Sequence, residues 1–399
     1  MSLDVAGVRA HFPALAAGAA HFDGPGGSQT PDVVARAVHD TLVSPIANRG
    51  SVTRAERNAE AIVQAARTAM ADLLGAEPGG IVFGRSMTAL TFEVARALAK
   101  TWTAGDEVVV SRLDHDANVR PWVLLAEQAG ATVRWIDFDP QSTELTVQDV
   151  GEQLTDRTRL VAVTGASNLL GSRPDLPAIA AEVHRVGALL YVDGVHLTAH
   201  AGIDVQALGA DFFACSPYKF FGPHCGVLAA DPALLDALHP DKLVPSSNAV
   251  PERFEFGTLP YELLAGTTAA ADFIADLSVG AGDRRRRILA SMRAVSEHED
   301  ALRHRIELRL AELDSITVHS RAAERTPTLL LTFTGRAAAD AYRFLADLDV
   351  NAPAGSFYAY EAARRLRLPD GGLRIGLAPY SNDSDVDRLL DGLTKFLDA

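Results

Sequence analysis

Lysine is nearly missing from this chain of 399 residues. Only Lys100, Lys219, Lys242 and Lys395 stand among its 37 basic side chains, the rest being arginine. GC-rich coding accounts for such a bias, yet it leaves few amines able to react, because arginine stays protonated and cannot condense with a carbonyl. Cysteine is scarcer still: Cys215 and Cys225 cannot make a disulfide framework and lack the spacing of a zinc site. No apolar run of about 18 residues exists, and Asp4, Arg9 and His11 interrupt the stretch that a secretory leader would need apolar. That argues against a membrane partner and for a cytoplasmic protein. Positive charge is in deficit, with 51 acidic residues against 37 basic ones and a net charge of −14. Such a surface repels phosphate backbones, so nucleic acid is not an expected partner. What is present is the balance of a soluble globular chain, 48% hydrophobic and 22% charged, long enough for two domains.

Short apolar, β-branched runs alternate with helical periodicity between residues 54 and 230. Strands are expected at 81–84, 107–110, 132–137, 159–164, 188–193, 211–216 and 226–230, and helices at 54–74, 89–100, 118–128 and 176–186. Strands buried on both faces and joined by helical crossovers mean a mainly parallel sheet with helices on both sides. After residue 260 the rhythm changes. Long helical patterns at 261–279 and 284–313 precede strands at 326–333 and 372–376 and helices at 337–348 and 383–396. The fold class is α/β: a large domain over 20–283 with a seven-stranded, mainly parallel sheet, and a smaller α+β domain over 284–399 joined by 1–19. The 284–313 helix is the expected link, and the run from Arg284 to Arg287 reads as its solvated start.

The densest chemistry lies between residues 188 and 230. Asp193 ends the run Leu189-Leu190-Tyr191-Val192, which puts its carboxylate at the sheet edge where open α/β folds hold ligands. Lys219 sits in Ser216-Pro217-Tyr218-Lys219-Phe220-Phe221-Gly222-Pro223. An amine held among aromatic rings loses hydration, which lowers its pKa and makes it a nucleophile or base, although a snorkelling surface lysine has the same local pattern. A carboxylate for the pyridine nitrogen and a lysine for a covalent link are what pyridoxal phosphate requires. In Phe83-Gly84-Arg85-Ser86-Met87-Thr88 a strand turns into a helix, whose free N–H groups and dipole suit a phosphate. His196 and His200 have a zinc-like spacing, but no glutamate follows the first histidine, so no metal site is expected.

Together with Ile203-Asp204-Val205 and Gly209-Ala210-Asp211-Phe212, these motifs resemble the class V aminotransferase family, in its cysteine desulfurase and selenocysteine lyase-like branch. The resemblance runs from Phe22-Asp23 to Arg388-Leu389-Leu390. It implies an aspartate aminotransferase-like fold and pyridoxal 5'-phosphate as cofactor. It makes Lys219 the lysine bonded to the cofactor, Asp193 the partner of the ring nitrogen, and His115 in Asp114-His115-Asp116 the histidine stacked on the ring. Asn168 would contact the ring hydroxyl, and His196 stands where many relatives have glutamine. Ser86, Met87 and Thr88 fall at the phosphate cup, where the family usually reads Gly-Thr-Thr, and Ser216 resembles a second phosphate contact. Thr258 corresponds to a loop that reaches the phosphate of a neighbouring subunit, which implies a homodimer with shared active sites. Arg374, in Gly372-Leu373-Arg374-Ile375-Gly376, matches the arginine that clamps an α-carboxylate, a task its planar fork suits. Asn48-Arg49-Gly50 and the loop containing Gly26 look like further active-site segments, and Tyr218 replaces a frequent histidine.

Desulfurases of this family carry sulfur as a persulfide on a loop cysteine. The matching segment here, 351–360, contains none. Ser356, Phe357, Tyr358 and Tyr360 would line the side-chain pocket instead, an aromatic wall suited to a substrate larger than free cysteine. The expected reaction is therefore C–S β-elimination from cysteine, selenocysteine or an S-conjugated cysteine without a protein persulfide. The same residues would also serve transamination, epimerisation, or oxidative deamination or decarboxylation. A non-catalytic scaffold is the reading from another class.

Overall fold

The computed structural model describes residues 3–399; residues 1 and 2 of the amino-terminal segment lie outside the described residues. The large sheet comprises β1 (Ile81–Gly84), β2 (Glu107–Ser111), β3 (Thr132–Ile136), β4 (Thr158–Thr164), β5 (Leu189–Asp193), β6 (Phe212–Cys215) and β7 (Gly226–Ala230), in the order β1-β7-β6-β5-β4-β2-β3. All run parallel except β7, which is antiparallel to both β1 and β6. Strand alternation builds two cores from one sheet. Val108, Val110 and Tyr191 pack with Leu90 and Trp122 on one face, whereas Val109, Leu190 and Val192 pack with Met70 and Ile179 on the other.

Local signals explain the helix starts that matter to function. Thr53 and Glu56 form a reciprocal cap on the helix Arg54–Leu74, and Gly75 ends it with φ +67°. The helix expected from residue 89 begins at Met87, because Ser86 Oγ accepts the Ala89 N–H at 3.1 Å. The helix expected from 118 begins at Arg120, after a single 3₁₀ turn at Asp116–Asn118.

The second sheet has β8 (Ile316–Val318), β9 (Thr328–Phe333), β10 (Ala354–Gly355) and β11 (Gly372–Gly376), antiparallel in the order β10-β11-β9-β8. In β11, Leu373 and Ile375 enter a core with Leu389 and Phe396, so alternation turns Arg374 to the opposite face.

The two cores change over inside one helix, Arg284–Leu310. Ile288, Met292 and Val295 pack in the large domain's core, Leu302, Ile306 and Leu310 in the small one. The division drawn ahead of residue 284 thus falls within the helix. Leu3, Val8 and Phe12 pack with the large-domain core, not the small one, whereas Ala20 pairs with Val350 and joins the small core. The arginine run is not simply solvated either: Arg284 bridges Asp272 (2.7 Å) and Asp72 (3.0 Å), and Arg285 donates to the carbonyls of Asp72 and Leu73. No described helix is long and apolar enough to cross a membrane.

Candidate active site

Thr164 ends β4, Asp193 ends β5, Ser216 follows β6, and His115 follows the turn after β2. All four lie at carboxyl ends of parallel strands, where such sheets leave a crevice. Here the crevice is a cavity of about 640 Å³. The helix beginning at Met87 points its amino terminus into it, the loop with Pro25 and Gly26 crosses it, and Arg374, Phe357 and Tyr358 approach from the small domain.

Burial sets the charges. Lys219 Nζ donates to the Pro25 carbonyl and lies 5.1 Å from the Tyr218 ring centre; burial, aided by the Arg374 charge and opposed by Asp193, brings the amine down to about 7. Burial pushes the Asp193 carboxyl up to about 6, although the Val195 N–H donates to its Oδ1 at 2.9 Å and Lys219 lies near. His115 is brought to about 4 by burial and then by the Lys219 charge. Its Nδ1 accepts the Ala117 N–H at 3.0 Å, so the ring is neutral at neutral pH with its proton on Nε2. Arg374, 2% exposed, is lowered by burial to about 9 and stays charged.

His196 is held far below the usual histidine range, chiefly by burial. Its Nε2 lies 2.9 Å from the hydroxyls of both Thr326 and Thr328. Behind it His200 Nδ1 lies 2.9 Å from Glu299 Oε2.

Of the residues singled out in the sequence, Lys219, Asp193, His115, Asn168, His196, Met87, Thr88, Ser216, Tyr218, Gly26, Arg374, Phe357 and Tyr358 line this one cavity. The others do not. Ser86 is turned to its own helix as the cap, leaving the backbone N–H groups of Met87 and Thr88 without intrahelical acceptors. Arg49, expected at the substrate, is instead engaged by Glu60 at 2.8 Å and Glu252 at 3.1 Å. Asn48 and Thr258 are exposed on loops outside the cavity, and the backbone carbonyl of Ser356 accepts the Ala359 N–H in a turn beside it.

Sequence reasoning passed over Asp116, Arg120 and Thr164, which also line the cavity, and Asp114, which supports it. Asp114 is fully buried, bonded to Ser111 Oγ and at 2.7 Å to Asn118 Nδ2, and burial raises its carboxyl to about 8. The spacing Ser111, Asp114, Asn118 was the available signal, but nothing local announces that the carboxyl is buried.

A cofactor with a phosphate, a basic ring nitrogen and an aldehyde fits these residues. The free helix N–H groups suit the phosphate, Asp193 the nitrogen and Lys219 the carbonyl. Two buried polar atoms in the cavity wall, Asn168 Oδ1 and Arg374 Nε, have no protein partner, as expected of a site built around a polar ligand.

Among curated relatives, the cysteine desulfurase CsdA of Escherichia coli is 31% identical over 98% of this chain and 97% of its own. The uncharacterized protein MT3887 of Mycobacterium tuberculosis is 32% identical over 98% and 99%, and the aminotransferase-like protein FGM3 of Gibberella zeae 30% identical over 99% of each. The crystal structure of Escherichia coli CsdA in its S-sulfonic acid form superposes with a TM-score of 0.88 at 28% identity, covering 100% of this chain and 99% of that one. The family model for Aminotransferase class-V matches residues 20–389, so the chain belongs to that family and its cofactor is pyridoxal 5'-phosphate.

Proposed function

We propose that this protein is a cysteine desulfurase-like C–S lyase that acts by β-elimination on cysteine, selenocysteine or an S-conjugated cysteine without forming a protein persulfide. One observation carries the reading. The only two cysteines stand outside the cavity wall and are buried, Cys215 inside β6 and Cys225 beside Thr267. Burial pushes both thiols up, Cys225 to about 11, far from the thiolate that sulfur transfer needs. In the loop that would carry a thiol, Phe357 and Tyr358 face the cavity instead.

The cofactor, when bound, supplies an electron sink for the charge left at the α-carbon. Arg374 holds the α-carboxylate, and Lys219, unprotonated above about pH 7, takes the α-proton. Asp193, ionised above about pH 6, would supply the negative charge that partners the cofactor's ring nitrogen. Neutral His115 supplies a flat face backed by Tyr358, whose ring centre is 5.5 Å away. Water then yields pyruvate and ammonia, and the β-substituent leaves as sulfide, selenide or free thiol according to the substrate. Incubation with cysteine, selenocysteine and S-conjugates, following pyruvate, ammonia, thiol and alanine together, tests this. Pyruvate with free thiol supports elimination. Alanine with protein-bound sulfur overturns it, and a keto acid with pyridoxamine phosphate assigns transamination.

A homodimer with shared active sites belongs to the same proposal. Val43, Val52, Val244 and Phe256 are exposed by 70%, 82%, 97% and 51%, and the Arg49–Glu252 bond joins the segments that carry Asn48 and Thr258. Exposed apolar side chains on the segments that carry two residues implied at the site fit a second copy. Sedimentation of the holoenzyme checks it.

A further inference from the structure

Arg374, Asn168 and Phe357 form a closed circuit. The buried Arg374 guanidinium carbon lies over the ring of half-buried Phe357, 3.6 Å from its centre. Arg374 Nη1 donates to the Asn168 carbonyl at 3.0 Å, and Asn168 Nδ2 donates to the Phe357 carbonyl at 2.9 Å. Each residue thereby fixes the next. Phe357 and Tyr358 adopt left-handed backbone, φ +53° and +57°, which non-glycine residues take up only when their surroundings hold them. The second hold is the Asp116 N–H, which donates to the Tyr358 carbonyl at 2.8 Å.

The circuit commits one face and one nitrogen of the guanidinium. Among the described residues Nε has no hydrogen-bond partner and Nη2 makes no hydrogen bond. A Cβ at Gly26 would stand 3.4 Å from Nη2, so a side chain there would crowd that edge. The fork left over is the side-on pair Nε and Nη2; the Asp23 charge acts on the guanidinium, but among the described residues no carboxylate forms an ion pair with it.

We infer that Phe357 is a positioning residue that sets specificity for substrates bearing an α-carboxylate, by fixing the plane of the Arg374 guanidinium from beneath. This rests on the reading of Arg374 as the carboxylate clamp. The quadrupole of the ring attracts the cation and holds its fork edge-on to the cavity; an aliphatic side chain would fill the volume without that orientation.

The test titrates the holoenzyme with two amines that have no β-leaving group, L-alanine and ethylamine, which differ by the carboxylate, and reads binding from the initial shift of the cofactor's absorption band. Phe357→Leu should weaken alanine about tenfold and ethylamine by less than about twofold, and Phe357→Tyr should restore alanine. If Leu and Tyr variants bind alanine alike, or if ethylamine weakens as much as alanine, Phe357 only packs the loop and the inference falls. If Arg374→Ala leaves alanine binding unchanged, the carboxylate reading itself is wrong and the inference goes with it.

Discussion

His196 Nε2 lies 2.9 Å from Thr328 Oγ1, and the same distance from Thr326 Oγ1. A side chain from the loop after β5 of the large sheet is thus bonded to the strand region that opens the small one. The wall of the cavity is therefore set by the way the two cores sit together. Removing one hydroxyl leaves Nε2 a partner; removing both strands a buried polar atom, at a cost of about 1–3 kcal/mol. Thr326→Val and Thr328→Val should each destabilise modestly, and the double variant should lose more than their sum. Denaturant unfolding of the four proteins in a double-mutant cycle checks this, and strict additivity would sink it.

Lys219 should carry the cofactor alone. Lys219→Ala should lose the borohydride-reducible attachment of pyridoxal phosphate; an adduct retained in that variant would falsify the assignment. In cofactor-free wild-type protein, capture should rise with pH through about 7 and then level, because burial has moved the amine down from 10.5. A lysine of ordinary basicity would show capture still climbing toward pH 10.

Arg374→Ala should raise KM for amino acids by about 100-fold while cofactor content stays constant, since a charge-assisted bidentate bond is lost at a distance from the ring. Steady-state kinetics with the absorption spectrum as the loading control decide it. Unchanged KM would remove Arg374 from the substrate.

Replacing both cysteines, Cys215→Ala with Cys225→Ala, should leave elimination within about twofold of wild type, because neither thiol is held as thiolate. Stability should fall, as both side chains are buried in the core. Complete loss of turnover in a folded variant would restore a persulfide route.

Asp114 gives a pH signature. Its carboxyl is raised from 3.8 to about 8, so between those values the folded chain binds a proton that the unfolded chain has lost. That contribution is fully present below about pH 4 and is lost as pH rises through 8, at up to about 1.4 kcal/mol per pH unit. Asp114→Asn keeps a neutral side chain and removes this dependence. From pH 5 to pH 8 the wild type should lose stability relative to the variant, and parallel profiles would show that Asp114 is not held protonated.

Strand positions, helix identity and the pairing of Asp193 with Lys219 as candidates were legible because they depend on short-range pattern, whereas His115, Asn168 and Arg374 came only through the family resemblance. Val108-Val109-Val110 and Leu190-Tyr191-Val192 are apolar throughout, which only a strand covered on both faces requires. Asp193 and Lys219 stand out because a reaction needs a carboxylate and an amine there, and lysine is rare in this chain. Long-range contacts were not legible. Nothing beside Arg49 shows that Glu60 and Glu252 converge on it, nothing beside Ser86 decides between a ligand and its own helix, and no local signal places Leu3 and Phe12 with the large core.

The sequence alone determined which side chains could react, since composition and local pattern decide where an amine, a carboxylate and a helix amino terminus occur. Only the tertiary structure decided their charge states and which of them meet. Burial of Lys219, Asp193, His115 and Asp114 comes from packing of segments far apart in the chain, and it is burial that moves each of their proton equilibria.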